Sequence, residues 1–135
     1  MISLSNTNEQ TVSAGQSLTF NATILKSGNG ECHRSNTGSI KMCAQKGIYQ
    51  VYFSANVTGA TAETPVSLQF ELGGDPIAES LMISTPAVAN ALNNISKTIV
   101  IKNCCCDYDR ITVTNAGTTD IIIGANPVFL VKRIA

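Results

Sequence analysis

The stretch "GIYQVYFSANVTG", residues 47–59, decides the fold by its spacing. Tyr49, Val51, Phe53, Ala55 and Val57 recur at every second position, with Gln50, Tyr52, Ser54 and Asn56 between them. Successive side chains leave a pleated strand on opposite sides, so a period of two marks a β-strand with one face on a core. A helix needs apolar residues three and four apart instead. Aromatic residues fall on both faces, Tyr49 and Phe53 on one and Tyr52 on the other. One face fills the interior; the other stays exposed unless a neighbour covers it.

The same alternation extends along the chain. "SLTFNATIL" (17–25) reads as a strand with Leu18, Phe20, Ala22 and Ile24 inward. "PVSLQFEL" (65–72) turns Val66, Leu68, Phe70 and Leu72 to one side, and "GGDP" (73–76) follows as a hairpin turn leading into "IAESLMIS". "TGSIKMC" (37–43), "ISKTIVIKN" (95–103), "RITVTNA" (110–116) and "DIIIGANPVFLVKRI" (120–134) supply further strands, with Pro127 marking a bulge or an edge in the last. "TPAVANALNN" (85–94) reads as a loop. About eight short strands spaced by roughly 8 to 12 residues, with no helix, indicate a β-sandwich or a closed barrel. Residues 1–9 are expected to be a flexible or partner-bound arm, and residues 10–135 a single domain.

Composition bounds the partners. The 135 residues carry nine basic and nine acidic side chains, so no charge excess points to nucleic acid or to an anionic membrane surface. Charged residues make up 13%, about half the usual share for a soluble domain. A surface so weakly charged is expected to bury part of itself, most simply against another copy of the chain. No apolar run approaches the about 18 residues of a membrane helix. The opening "MISLSNTNEQ" lacks both parts of a secretory signal.

The order of these pieces resembles the jelly roll of tumour necrosis factor and of the globular heads of complement and collagen-like proteins. Gly47, Tyr49, Val51 and Phe53 match the G-x-Y-x-V-x-F strand of that superfamily. "VSLQFELGGDPIAES" is similar to its strand-and-hairpin pattern, and "NPVFLVKRI" to its final strand. Within the superfamily, "GQSLTFNATILKSGNGECHRSNTGSI" and "CCCDYDRITVTNAG" look most like small proteins of phages and prophages of gut Firmicutes. The resemblance implies an antiparallel jelly-roll β-sandwich of about 8–10 strands that forms a homotrimer. It further implies a virion protein, made in the host bacterial cytoplasm, that decorates or stabilises a phage capsid or head fibre. The alternative it leaves is a host-surface glycan-binding module. No collagen-like Gly-X-Y tract precedes the domain, which favours a free-standing trimer docked by its N-terminal arm.

Two residues are expected at the subunit contact. Tyr52 faces away from the core side of its strand, and Ile121, Ile122 and Ile123 cannot all point into one core. Tyr52 and Ile122 are therefore expected to meet a neighbouring copy, the alternative being a loop folded over them.

Five cysteines, Cys32, Cys43, Cys104, Cys105 and Cys106, and the single histidine, His33, carry the remaining chemistry. Cys32, His33, Cys43, Cys104 and Cys106 offer soft ligands for a structural metal ion, yet no C-x-x-C pair is present. A disulfide from the Cys32/Cys43 region to the triplet is preferred, and an odd count leaves one thiol over. Buried, inert thiols are the third reading. No cofactor is expected beyond that candidate metal.

His33 beside Glu31 has no positioned nucleophile for acid–base chemistry. Asp107 and Asp109 fall short of a calcium set and read as a solvated turn with an Arg110 ion pair. No Ser/His/Asp set, HExxH or P-loop occurs, so no enzyme is expected. A glycan reader would carry Trp or Tyr on its loops. Tryptophan is absent and the three tyrosines sit in or beside strands, which favours the structural role.

Overall fold

The structure, a computed structural model, describes residues 1–28, 30–44, 46–59, 61–103 and 110–135. In chain order its strands are β1 (Ile2–Ser5), β2 (Gln10–Val12), β3 (Ala22–Lys26), β4 (Glu31–His33), β5 (Ile40–Met42), β6 (Ile48–Gly59) and β7 (Val66–Leu72). They continue with β8 (Asp75–Pro76), β9 (Met82–Ser84), β10 (Asn93–Lys102), β11 (Arg110–Asn115), β12 (Ile121–Ile123) and β13 (Val128–Arg133). A 3-10 turn over Ala78–Ser80 is the one helical element among the described residues.

Two antiparallel sheets result. The seven-stranded sheet runs β2-β12-β6-β13-β1-β3, with β10 on the other side of β6. β6 is its spine: β13 pairs with it over Tyr49–Ser54 and β12 over Val57–Gly59, while β10 follows the opposite edge from Ile48 to Val57. The six-stranded sheet runs β4-β5-β11-β7-β8, with β9 also on β7.

The period of two read in β6 is the period of burial. Tyr49, Val51, Phe53, Ala55 and Val57 are all buried and face Val66, Leu68 and Phe70 of β7 and Ile111 and Val113 of β11 across the sandwich. Phe129 of β13 sits at the centre. Its ring lies 5.1 Å from Phe20, 6.4 Å from Phe53 and 6.1 Å from Phe70, the last nearly parallel. All four phenylalanines of the chain thus meet in one cluster that joins both sheets.

Three expectations are corrected. Residues 2–5 are not an arm: β1 lies between β13 and β3, and Ile2 and Leu4 are fully buried. Two apolar residues in a polar stretch are too few to announce a strand, but central pairing makes them core. Residues 17–25 are not one strand either. Ser17 bridges to Thr114 and Phe20 to Thr37 before β3 begins at Ala22 on the other sheet. Ser3 pairs with Leu25 and Leu4 with Thr23, leaving Ile24 as the bulged residue, 67% exposed. Finally, 120–134 divides into β12 and β13, with Pro127 in the gap. Gly124 N donates to Asn56 O and Asn126 N to Asn6 O, fixing the step between the strands.

Candidate functional site: two outer faces and a thiol pair

The register of the seven-stranded sheet sets the neighbours on its outer face, because directly opposed residues share a side. Tyr52 stands between Thr98 of β10 and Leu130 of β13; Leu130 opposes Ser3, and Ser3 opposes Leu25. Val100, Gln50 and Lys132 form the next row on one side, and Ser96, Ser54 and Val128 on the other. Of these side chains only Lys132 carries charge. Tyr52 and Leu130 are half-buried, while Leu25, Val100 and Val128 are exposed. Ile122 opposes Thr58 and Thr11 on the same face and is also half-buried. Its row lies six positions along β6 from that of Tyr52, roughly 20 Å.

The outer face of the six-stranded sheet is different in kind. Cys32, Lys41 and Arg110 oppose one another in one row, and Thr112 opposes Glu71 while Thr114 opposes Gln69. An open groove of about 510 Å³ lies on this face, lined by Ser17, Ser39, Glu71, Arg110, Thr112 and Thr114 and by glycines. Among the described residues no aromatic ring lines it.

Cys32 and Cys43 meet at the edge of that second sheet. Cys43 N donates to Gly30 O at 2.9 Å, which sets Cys43 opposite Gly30 and diagonal to Cys32 on the same face. Their sulfurs are 3.4 Å apart, unbonded and exposed. Partial burial pushes the Cys43 thiol above the usual cysteine range; the Cys32 sulfur adds to this by hydrogen bond and charge, and Lys41 opposes it.

His33 points elsewhere. Its Nδ1 lies 2.9 Å from Ser39 O and its Nε2 3.2 Å from Phe20 O, so both nitrogens face backbone carbonyls. The structure therefore brings together Cys32 and Cys43 from the expected ligand set and keeps His33 apart from them. Cys104, Cys105, Cys106, Asp107 and Asp109 lie outside the described residues, and with them the triplet's ligand, disulfide and calcium readings. Among the described residues no three of His, Cys, Asp and Glu gather as metal ligands.

Buried polar residues are what sequence pattern misses here. Glu31, 1% exposed, accepts from the Met1 ammonium at 2.6 Å through Oε2 and from Arg133 N at 3.0 Å through Oε1. It is a structural carboxylate, not an acid–base partner of His33. Asn103 donates from Nδ2 to Met42 O and Ala44 O, both at 3.1 Å. Asn115 holds the turn after β11. No local motif announces any of them, because each takes at least one partner from a distant segment.

No protein-family model and no curated protein matches the sequence. Solved structures do match. Murine APRIL at pH 5.0 is similar at 16% identity and a TM-score of 0.66, over 97% of this chain and 96% of that one. The Eiger TNF of S. frugiperda superposes with a TM-score of 0.76 at 10% identity, over 99% and 91% of the two chains. The PRD1 vertex protein P5 gives 0.56 at 18% identity, over 99% and 96%. At such identities the likeness is one of fold. Two antiparallel sheets matched over almost the whole length make this chain a tumour necrosis factor-like jelly-roll β-sandwich.

Proposed function

We propose that this chain is a non-enzymatic structural protein of a phage virion, a trimer of jelly rolls that decorates or stabilises a capsid or head fibre. One observation carries the reading: the outer face of the seven-stranded sheet sets Tyr52, Leu130 and Ile122 among small hydroxyl and amide side chains, with little charge. Such a face suits a symmetric contact between copies, since it loses few solvated charges on burial. The likeness to a phage vertex protein supports the virion setting.

Docking to a capsid or fibre protein then falls to loops and to the second sheet, since residues 2–5 are built into the first. A host-surface glycan reader would use the groove along Thr112 and Thr114. Among the described residues its lining offers hydroxyls, one arginine and one glutamate but no ring for a sugar to stack on, which favours the structural role. The test is the native mass by light scattering, with and without reductant. Three times the 14.2 kDa chain mass in both conditions is the expected result. A monomer in both overturns the reading.

A further inference from the structure

Among the described residues the β4–β5 hairpin forms one edge of the six-stranded sheet, with β4 paired to β5 alone. Edge hairpins this short are held by few ladder bonds, and a covalent link across them adds what pairing lacks. Cys32 and Cys43 stand where such a link would go. They lie on the same outward face, on adjacent strands, with sulfurs 3.4 Å apart. A disulfide holds its sulfurs about 2.05 Å apart, so closing asks each side chain for well under an ångström of approach. Cys43 lies just past Met42, the last residue of β5, and its sulfur is exposed.

We propose that Cys32 and Cys43 are a redox-active pair that closes a disulfide within one chain by exchange with a small-molecule disulfide, bolting the edge hairpin. The step balances in two exchanges. The Cys32 thiolate attacks one sulfur of the small disulfide, RSSR, and expels RS⁻, leaving a mixed disulfide on Cys32. Cys43 then loses its proton to solvent and attacks the Cys32 sulfur, expelling the second RS⁻. Two protein thiols are oxidised by two electrons, and RSSR is reduced to two RSH once the leaving thiolates take up the two protons. Cys43 acts second because burial and the neighbouring sulfur hold its proton on. The pair stays open where the surrounding thiol pool is reduced and closes where it is oxidised. This pairing replaces the expected bridge from Cys32 or Cys43 to the triplet.

Trypsin makes the test clean, because it releases Cys32 in residues 27–34, Cys43 in 42–46 and the triplet in 103–110. The full chain is incubated with oxidised glutathione, blocked with N-ethylmaleimide, and digested for mass spectrometry. The expected product is 27–34 joined to 42–46, two hydrogens lighter than the sum, from protein that runs as a single chain on a denaturing, non-reducing gel. Recovery of both peptides in blocked form, a link from either to 103–110, or a link between chains would overturn the proposal. The variant Cys43→Ser separates exchange from closure. It should retain glutathione on 27–34, where the wild-type chain releases it; a variant that retains none also overturns the proposal.

Discussion

Asn115 ends β11 with its whole amide in use. Nδ2 donates to Val12 O at 3.0 Å and to Thr119 O at 2.9 Å, and Oδ1 accepts from Gly117 N at 2.9 Å, in a side chain 1% exposed. Asn115→Ala removes three bonds and strands their partners inside the protein, so a loss of about 2–4 kcal/mol is expected. Urea unfolding checks it as a lower midpoint at unchanged slope. A loss below about 0.5 kcal/mol would show that the turn holds itself. The turn "NAGTTD" was legible in the sequence, but its anchor was not, since Val12 lies 103 residues away. Glu31 repeats the lesson with Arg133, 102 residues away. Alternation assigns polar residues outward, and only the closed fold reveals which of them found partners inside.

At the scale of elements, legibility followed length. β6 and β7 carry enough alternating positions to fix both type and facing, and their buried sides are the ones the sequence pattern marks, while β10 and β11 were legible as strands. Residues 17–25 misled because the chain crosses from one sheet to the other there, so one face cannot stay buried throughout. Gly38 packs against the start of that crossing, at Ser17 and Leu18. A Cβ at Gly38 would run into the Leu18 carbonyl oxygen and lie 2.8 Å from Ser17 Oγ, although its backbone is not left-handed. Space, not φ, demands glycine at this point. Gly38→Ala is expected to cost about 2 kcal/mol, because the obstacle is backbone that has to shift. Gly30→Ala, where a Cβ meets nothing within 4 Å, serves as the control and should stay within about 0.5 kcal/mol. Equal thermal shifts for the two variants would refute the crossing argument.

For the molecule as a whole, the proposed contact between copies rests on the contrast between its two outer faces. One sheet presents Lys41, Arg110 and Glu71 with threonine hydroxyls; the other presents Tyr52, Leu130, Leu25 and Val128 with serines and threonines. The sequence marked Tyr52 as outward, but its companions become neighbours only through the pairings of β6 with β13, of β13 with β1 and of β1 with β3. Stable contacts bury about 800 Å² per partner around a dry, charge-free centre. Tyr52→Lys puts an ammonium into that centre. At about 1–3 kcal/mol of uncompensated burial per copy, and tenfold in dissociation constant for each 1.4 kcal/mol, a trimer formed at micromolar concentration should fall apart. The fold should survive, because Tyr52 points away from the core that Val51 and Phe53 fill. Thr112→Lys places the same charge on the opposite sheet and should leave the assembly whole. Light scattering reads the mass and circular dichroism the strand content. A Tyr52→Lys protein that remains trimeric would move the contact off this face, and with it the assignment of Leu130 and Ile122. A monomeric Thr112→Lys protein would place the contact on the hydroxyl-lined sheet instead.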